Sequence, residues 1–290
     1  MTSPAAALRT LLANRELLVM PCCHDALSAR LIERAAFPAT FMSGFAVSAA
    51  RLAMPDTGLI SFGEMLDQAR TICHAVTIPV LGDGDTGYGN ALNIKRTVRD
   101  YAAAGLACIM IEDQLSPKRC GHTKGKQIVS FDEACLRIRA AVDARNEGAD
   151  ILIMARTDAR GPAGLDEALR RMRTFHDLGA DLLFLEAPQS IEEMQLFCDT
   201  VPGLKMANQI EHGLTPLLPK GELQRLGFAI AAYPLTLLQA MVSAVEAALV
   251  DLAGGSHPSG LADFEHVKDV LGFPEYYREE ARYAKRCETD

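Results

Sequence analysis

An acidic, glycine-rich stretch at residues 82–89, Gly-Asp-Gly-Asp-Thr-Gly-Tyr-Gly, combines residue types that could bind a cation. It follows the apolar run 78–81, which predicts a buried strand that ends in a turn. Asp83 and Asp85 are two residues apart, so in an extended chain their carboxylates point to the same side. Adjacent carboxylates repel each other at neutral pH, and a hard cation such as Mg²⁺ relieves that repulsion. The alternative is a solvated turn, because Asp and Gly are ordinary turn residues.

A second reactive stretch is Lys-Arg-Cys-Gly-His, in which Cys120 follows Lys118 and Arg119 and lies two residues before His122. Cationic neighbours lower the pKa of a cysteine thiol and suit it to proton transfer near neutral pH. Gly121 permits the loop to move, as a loop that covers an active site must. The alternative is an exposed cysteine within a solvent-facing basic cluster.

Eight apolar runs, each followed by a helical pattern, predict the elements that position these residues. Most runs are continuously apolar, as is typical of parallel strands covered by helices. The predicted strands are residues 17–22, 39–43, 78–83, 107–112, 151–157, 181–186, 204–208 and 227–233. Eight β–α alternations without a linker favour an α/β fold, a (β/α)8 TIM-type barrel. The alternative is a doubly wound open sheet, but no G-x-G-x-x-G turn opens a first β–α unit.

Capping signals delimit the predicted helices. Ser61, Ser130 and Ser190 each precede a glutamate by three residues and fit a capping box. Gly105 and Gly179 follow helical patterns where a left-handed cap is expected. We predict one barrel domain over residues 1–290, with a helical extension from about residue 235. The apolar window 233–254 contains two acidic residues, which favours a buried helix over a membrane span.

Polar residues follow almost every predicted strand. In a barrel of this kind the active site lies at the carboxyl ends of the strands. The residues at those ends are Ser43, Gly44, Asp83, Asp85, Glu112, Asp113, Arg156, Thr157, Asp158, Glu186, Asn208 and Glu211. Strands that simply end in polar loops are the alternative. A functional pocket is favoured because Glu112 and Arg156 adjoin apolar runs, where an unpaired charge is costly.

Composition excludes several classes of protein. The hydrophobic fraction of 49% and charged fraction of 23% are typical of a soluble globular protein. A net charge of −8 argues against a nucleic-acid partner, although a local metal or arginine could still bind an anionic substrate. The eight cysteines form no zinc-type pairs or disulfide framework, and residues 1–16 lack the apolar core of a secretory signal. We therefore expect a cytoplasmic protein with no membrane partner.

Several motifs together resemble the isocitrate lyase/phosphoenolpyruvate mutase superfamily. They are Phe41-Met-Ser-Gly44, Asp83-Gly-Asp85, Ile111-Glu-Asp-Gln114, Lys118-Arg-Cys-Gly-His122, Met154-Ala-Arg-Thr-Asp158 and Asn208-x-x-Glu211. Their order and spacing cover residues from about 15 to 245. The Lys-Arg-Cys-Gly-His motif is similar to the carbon–carbon lyase branch, because enzymes that act on a C–P bond differ in this loop.

The resemblance implies a barrel that exchanges a C-terminal helix with a neighbouring subunit, in a homotetramer built as a dimer of dimers. It implies Mg²⁺ or Mn²⁺ and a small di- or tricarboxylate substrate. The implied metal residues are Asp85 as the direct ligand, with Asp83, Glu112 and Asp56 around metal-bound water. The implied substrate-binding residues are Ser43, Gly44, Phe45, Gly121, His122, Arg156, Asn208 and Glu211. The implied catalytic residues are Cys120 as general acid, Arg156 on the oxygen that becomes negative, His122 and Glu186.

Two departures refine the expected substrate. Isocitrate and methylisocitrate lyases usually have Tyr where this chain has Phe41, and Thr-Glu-Phe-Gly where it has Gln-Ile-Glu-His-Gly at residues 209–213. The motifs around Phe41 and residues 89–94 instead resemble the 2,3-dimethylmalate lyase, petal death protein and oxaloacetate hydrolase group. Loss of the phenol hydroxyl favours a smaller, more apolar malate derivative, and Phe45 would further crowd the pocket. It also leaves the base that takes the hydroxyl proton unidentified.

We therefore expect an Mg²⁺-dependent lyase. It would cleave a substituted malate, of the 2,3-dimethylmalate or 2-methylisocitrate type, into a 2-keto acid such as pyruvate and a carboxylate by retro-aldol (Claisen-type) chemistry. Two alternatives stay open at this point. One is an oxaloacetate hydrolase or decarboxylase with the same pocket. The other is a catalytically silent barrel that binds a ligand or serves as a scaffold.

Overall fold

The computed structural model describes residues 2–14, 16–121 and 125–284. Its eight parallel strands pair in sequence order and close into a barrel, which confirms the predicted (β/α)8 fold. The strands are β1 (Leu18–Cys23), β2 (Thr40–Met42), β3 (Val80–Asp83), β4 (Cys108–Glu112), β5 (Leu152–Thr157), β6 (Leu182–Leu185), β7 (Leu204–Asn208) and β8 (Ile230–Tyr233). Each falls within or one residue beyond its predicted run, because apolar runs bounded by turn residues are a strong strand signal.

The strands are buried on both faces. Alternate side chains, such as Met20 and Met154, form one apolar cluster inside the barrel. The intervening side chains, such as Ile109 and Ile153, pack in a second cluster with the helices. Full burial of each such side chain contributes roughly 1.5–3 kcal/mol, so two-sided burial explains the continuous apolar runs.

Helices cover the barrel and connect its strands. They are α1 (Pro4–Ala13), α2 (Ala26–Arg34), α3 (Gly44–Leu52), α4 (Phe62–Ala75), α5 (Ala91–Ala104), α6 (Phe131–Asn146), α7 (Arg160–Ala163), α8 (Leu165–Asp177), α9 (Ile191–Thr200) and α10 (Lys220–Leu226). Helix α1 precedes the first strand and contributes Leu8 and Leu12 to the cluster inside the barrel. The barrel interior is therefore continuous with the apolar side of α1.

Helix ends follow the predicted caps in part. Ser61 and Glu64 form the complete capping box, with both reciprocal hydrogen bonds. Ser130 and Ser190 accept the expected backbone bond, but their box partners bind elsewhere: Glu133 contacts Arg137, and Glu193 contacts Arg160 at 2.6 Å. The prediction of complete boxes at these two helices was therefore wrong, because an arginine attracts each carboxylate more strongly than a backbone N–H.

The described residues from Gln239 onward form a second compact unit. Its helices are α12 (Phe264–Leu271) and α13 (Phe273–Ala284), and α11 (Thr236–Ala253) begins in the barrel unit. Leu238 is the buried residue of α11, so the expected buried helix is exposed in this chain. By length and composition α11 could cross a membrane, which for a single helix is weak evidence. Val245 and Val250 are among its exposed apolar residues.

Candidate active site

A pocket of about 570 Å³, measured to its open mouth, lies at the carboxyl ends of the strands. Its lining includes predicted site residues from five strand ends and two loops. These are Ser43, Phe45, Asp56, Asp83, Cys120, Gly121, Arg156, Glu186 and Asn208. The rest of the lining consists of Cys22, Phe41, Met110, Lys118, Phe184, Met206, Ile210, Ala232, Pro234 and Leu235. The strand-end pattern therefore locates the pocket, and the apolar part of the lining comes mainly from inside the barrel.

A buried acidic cluster forms one side of the pocket. Lys118 Nζ lies 2.5 Å from Asp56 Oδ1 and 2.9 Å from Asp85 Oδ1, and the three side chains are almost fully buried. Asp83 lines the pocket and accepts a hydrogen bond from the Asp85 backbone N–H at 2.9 Å. The helix that follows supports this end of β3, since the buried Tyr101 hydroxyl donates to the Asp83 carbonyl at 3.0 Å.

The expected extended geometry of the two aspartates was wrong. Strand β3 ends at Asp83, and Asp85 adopts a left-handed backbone with φ of +47°. The chain turns tightly because Gly84 lies against β4, where an added Cβ would be 2.7 Å from the Met110 carbonyl. A side chain at Gly84 would therefore push the acidic turn away from the barrel.

Burial changes the acidity of this cluster. It raises the pKa of Asp83 to about 6, with the neighbouring Asp85 carboxylate adding to the rise. Burial also raises the pKa of Asp56, and it raises that of Glu112 well above the usual range. Removing these carboxyls from water disfavours their charged forms, and the neighbouring ammonium of Lys118 opposes this rise.

Arg156 lies at the centre of a second ionic group. Its Nε and Nη2 donate to the two oxygens of Asp158 at 2.8 and 3.1 Å, a fork that fixes the guanidinium plane. Glu112 lies 3.3 Å and Glu186 3.7 Å from the same guanidinium. The ring centre of Phe184 lies 5.2 Å from the guanidinium carbon. Arg156 is therefore held from several sides while it still lines the pocket.

Asp113 supports this group from behind and does not line the pocket. It accepts hydrogen bonds from the Thr157 hydroxyl at 2.5 Å and from the Asp158 backbone N–H at 2.9 Å. Arg171 of helix α8 donates to the same carboxylate at 2.9 Å. Asp113, which follows β4, thus orients the end of β5 and has a positioning role.

The Cys120 loop folds back over the pocket. The Gln114 side chain accepts from the Arg119 backbone N–H at 2.9 Å and donates to the Arg119 carbonyl at 2.8 Å. Cys120 is half-buried and lines the pocket. Gly121 lies so close to Glu186 that an added Cβ would be 2.2 Å from Glu186 Oε1. The loop therefore brings the thiol segment against the Arg156 group.

The expected effect of Lys118 on the thiol needs correction. Its ammonium is committed to Asp56 and Asp85, because those buried carboxylates attract it more strongly than a neutral thiol. Lys118 is therefore part of the acidic cluster.

The remaining predicted residues that the structure describes, including Asp85 and Glu112, do not line the pocket. Gly44 approaches the acidic cluster, since an added Cβ would be 2.4 Å from Asp83 Oδ2. Glu211 does not line the pocket and accepts a hydrogen bond from the Thr236 hydroxyl at 2.6 Å. His122 lies outside the described residues.

Apolar side chains form the other side of the pocket. Phe41, Phe184 and Met206 belong to the cluster inside the barrel and also line the cavity. Cys22 lines the same side, and burial raises the pKa of its thiol, which keeps it neutral near pH 7. The cavity thus has an ionic half and an apolar half.

Sequence reasoning missed Lys126 and assigned no role to Asp158. Lys126 Nζ lies 3.0 Å from Asp158 Oδ1 and donates to the Gly121 carbonyl at 2.5 Å. The two-residue spacing of Arg156 and Asp158 at the end of a strand was a usable signal, because it puts both side chains on one side. No local pattern indicated Lys126, which meets Asp158 only through the fold.

The acidic cluster fits a hard cation. Asp56, Asp83 and Asp85 supply buried carboxylates, and Glu112 Oε1 has no hydrogen-bond partner among the residues that the structure describes. Within those residues, no three His, Cys, Asp or Glu side chains are grouped closely enough to hold a metal ion by themselves. Such a set suits Mg²⁺, which binds one or two carboxylates and completes its shell with water and substrate oxygens.

Comparisons with known proteins agree with this geometry. Residues 8–253 match the family described as phosphoenolpyruvate phosphomutase. The sequence is 42% identical to 2,3-dimethylmalate lyase from Eubacterium barkeri over 284 residues, 97% of this chain and 98% of that protein. It is 37% identical to 2-methylisocitrate lyase from Aeropyrum pernix over 289 residues, 98% of this chain and 92% of that protein.

Solved structures give the same result. The fold superposes on oxaloacetate acetylhydrolase in complex with the inhibitor 3,3-difluorooxalacetate with a TM-score of 0.93. The two sequences are 34% identical, and the match covers 98% of both chains.

Proposed function

The chain belongs to the phosphoenolpyruvate phosphomutase family, and we propose that this carbon–carbon lyase cleaves a substituted malate of the 2,3-dimethylmalate or 2-methylisocitrate type. The products would be a 2-keto acid, such as pyruvate, and a carboxylate. One observation carries the proposal: Cys120, the fixed Arg156, and Asp56 and Asp83 of the buried acidic cluster line one cavity. These are the groups that a retro-aldol cleavage needs.

We propose Mg²⁺ or Mn²⁺ as the cofactor, with Asp85 as its direct ligand and Asp83, Glu112 and Asp56 around its water. The burial of these four carboxyl groups and the Glu112 Oε1 atom, unpartnered among the described residues, support this assignment, and a cation bound to Asp85 would compete with the ammonium of Lys118. When bound, such a cation polarises the hydroxyl and carboxylate oxygens of a 2-hydroxy acid.

The protein's own groups would bind the keto-acid half of the substrate at the start of helix α3. Ser43 is the N-cap of this nine-residue helix, and Gly44 is its first residue. Backbone N–H groups at a helix N-terminus favour a carboxylate, because they are unpaired and lie at the positive end of the helix dipole. A substrate carboxylate here would lie next to Asp83, on the ionic side of the pocket.

Cleavage breaks the bond between C2 and C3 of the malate. A base takes the hydroxyl proton, the C2 oxygen becomes the keto oxygen, and the bonding electron pair leaves with C3 as an enediolate. The guanidinium of Arg156, already fixed by Asp158, would stabilise the oxygen that carries developing charge. Cys120 would then protonate C3 of the enediolate as the general acid. Glu186 and Asn208, 3.5 Å apart at their nearest hydrogen-bonding atoms, would orient the reacting groups.

The far half of the substrate would meet the apolar side of the pocket. Phe41, Phe45 and Met206 present no charge to it. Lys118 and Arg156 are the cations of the described lining, and both are already paired with carboxylates. A third substrate carboxylate would therefore lack a partner in the described lining, so within the proposed substrate class this side of the pocket favours the dialkyl 2,3-dimethylmalate type over 2-methylisocitrate, which is a tricarboxylate.

A coupled assay tests the lyase. We expect Mg²⁺-dependent, chelator-sensitive pyruvate release from 2,3-dimethylmalate or 2-methylisocitrate, read with lactate dehydrogenase, and oxaloacetate is included as the substrate of the second candidate. Cys120→Ala should lower turnover by about 10²–10⁴-fold and keep Mn²⁺ binding, because the thiol donates a proton and holds no metal. Cys73→Ala, at a half-buried cysteine outside the pocket lining, is the matched control. Full turnover by Cys120→Ala would refute the proton-donor role.

Oxaloacetate hydrolysis is the second candidate, and the superposition on oxaloacetate acetylhydrolase supports it. The two reactions are separated by their products from oxaloacetate. Release of oxalate and acetate would indicate hydrolysis, whereas release of pyruvate and CO₂ would indicate decarboxylation. Turnover of oxaloacetate with no cleavage of any malate derivative would make this candidate the function.

We also propose a cytoplasmic homotetramer that exchanges C-terminal helices between subunits. The exposed apolar residues of α11 support an interface there, and the seven cysteines of the described chain are free thiols. Val245→Glu with Val250→Glu should reduce the assembly seen by light scattering, since buried charge opposes association. Leu92→Glu, at an exposed leucine of α5, is the control. An unchanged mass for the α11 variant would contradict the exchange.

A further inference from the structure

The loop that carries Cys120 is closed at its base by backbone pairing. The Leu115 N–H donates to the Gln127 carbonyl at 2.8 Å, and Gln114 and Ile128 form an antiparallel bridge. The side chain of Gln114 then holds both backbone groups of Arg119. These contacts fix the start of the loop but leave the position of Gly121 to other groups.

Lys126 supplies the contact at Gly121. Its Nζ donates to the Gly121 carbonyl at 2.5 Å and lies 3.0 Å from Asp158 Oδ1. The Lys126 side chain is 8% exposed, and Asp158 is fully buried. A charge-assisted bond in such surroundings is stronger than one in water, because there is little solvent to compete for the donor.

Asp158 connects this contact to the reacting groups. Its carboxylate receives both the Arg156 fork and the Lys126 ammonium. The Asp158 carboxylate therefore fixes the Gly121 peptide, next to Cys120, relative to the Arg156 guanidinium that lines the pocket. Gly121 has room for this approach only because it lacks a Cβ, which would be 2.6 Å from Arg156 Nη2.

We propose that Lys126 is a positioning residue that clamps the Gly121 carbonyl to Asp158 and so aligns Cys120 with Arg156. The proposal rests on the function proposed above, in which Cys120 donates a proton. Lys126 does not line the pocket, so its effect is exerted through Gly121. Loss of the clamp frees the thiol segment but leaves the Arg156 fork and the acidic cluster in place.

The test compares Lys126→Met, which keeps the length of the apolar stem, with Lys126→Arg, which restores a cationic donor. For Lys126→Met we expect kcat to fall about 100-fold, the loss that follows a misplacement of about 1 Å, with KM changed less than threefold. We expect Lys126→Arg to recover most of kcat. Lys95→Met, which removes a surface lysine paired with Glu147, is the matched control with normal kinetics.

A second readout does not depend on turnover. Peptide-level mass spectrometry gives the rate at which iodoacetamide alkylates Cys120, with Cys73 as the internal reference. We expect Cys120 to react about tenfold faster in Lys126→Met and at the wild-type rate in Lys126→Arg, because a released segment opens more often. If Lys126→Met unfolds at a lower temperature, Lys126→Gln provides the same comparison with a shorter neutral donor.

The outcomes separate the clamp from the proposed reaction. Unchanged kcat and unchanged Cys120 alkylation in Lys126→Met would overturn the clamp. Equal loss of kcat in the Met and Arg variants, without faster alkylation, would also overturn it and indicate a structural ion pair. Faster alkylation in a protein without lyase activity would support the clamp and refute the proposed function.

Discussion

Replacing Gly121 by alanine should damage catalysis far more than stability. The new Cβ would lie 2.2 Å from Glu186 Oε1, 2.4 Å from Glu186 Cδ and 2.6 Å from Arg156 Nη2. Carbon and other heavy atoms normally approach no closer than about 3.5 Å, so the backbone or these side chains must move by about 1 Å. Asp158 holds Arg156 in a fork and Glu186 is buried, so any such movement displaces a proposed catalytic group.

A displacement of about 1 Å at reacting groups costs about 100-fold in rate, which corresponds to about 2.7 kcal/mol of transition-state stabilisation. The site of strain lies in a loop outside the apolar core, so we expect the free energy of unfolding to change by less than about 1 kcal/mol. The assay is steady-state turnover of the malate derivative identified by the panel, together with urea unfolding.

Gly161→Ala is the matched control for this prediction. Its added Cβ has Lys126 Cε as its nearest neighbour, at 3.9 Å, which is an ordinary contact. We expect its turnover to stay within twofold of wild type. Turnover of Gly121→Ala within threefold of wild type would refute the steric reasoning, and so would an equal loss in the control.

Three other perturbations test separate parts of the site. Lys118→Met leaves Asp56 and Asp85 without their ammonium and should destabilise the metal-free protein by about 3–5 kcal/mol. Mn²⁺ should then raise the melting temperature of the variant more than that of wild type, and an equal or smaller rise would contradict this. Asp158→Asn tests pH dependence. Its cationic neighbours Arg156 and Lys126 outweigh burial and lower the pKa of Asp158 from 3.8 to about 2. The ionised Asp158 carboxylate therefore stabilises the folded protein by about 2 kcal/mol, fully above about pH 4, and this is lost as the pH falls through 2. The urea midpoint should consequently fall less steeply on acidification in Asp158→Asn than in wild type. Phe41→Tyr puts a hydroxyl on the apolar side of the pocket, which should lower kcat/KM for a dialkyl malate by about 5–100-fold; a gain with that substrate would show that the hydroxyl finds a partner.

The fold was predictable because its signals are local. Continuous apolar runs marked all eight strands, and the rule that barrel active sites lie at the carboxyl strand ends located Arg156 and Glu186 at the pocket. The same logic placed Asp83 correctly, since it ends β3. It failed one turn later at Asp85, because the approach of Gly84 to β4 sets the backbone there.

Long-range pairing was not predictable. Lys118 looked like a neighbour of Cys120 in sequence, but the fold turns its ammonium toward Asp56, which lies in a different loop. Lys126 and Asp158 are separated by 32 residues and meet only after β4 and β5 are aligned. The exposure of α11 was not predictable either, because composition identifies an apolar helix but not which residues pack against it.

The support behind β5 has a consequence for mutational tolerance. Arg171 of α8 donates a hydrogen bond to Asp113. Asp113 also accepts hydrogen bonds from the Thr157 hydroxyl and the Asp158 backbone N–H, and the Asp158 side chain in turn binds Arg156. A position on an outer helix is thereby linked to the pocket without touching it. Engineering libraries confined to the cavity wall would leave this position unvaried. Random mutagenesis should recover folded but inactive variants substituted at Arg171. It should also recover substitutions elsewhere in helix α8 that alter the substrate specificity of the enzyme.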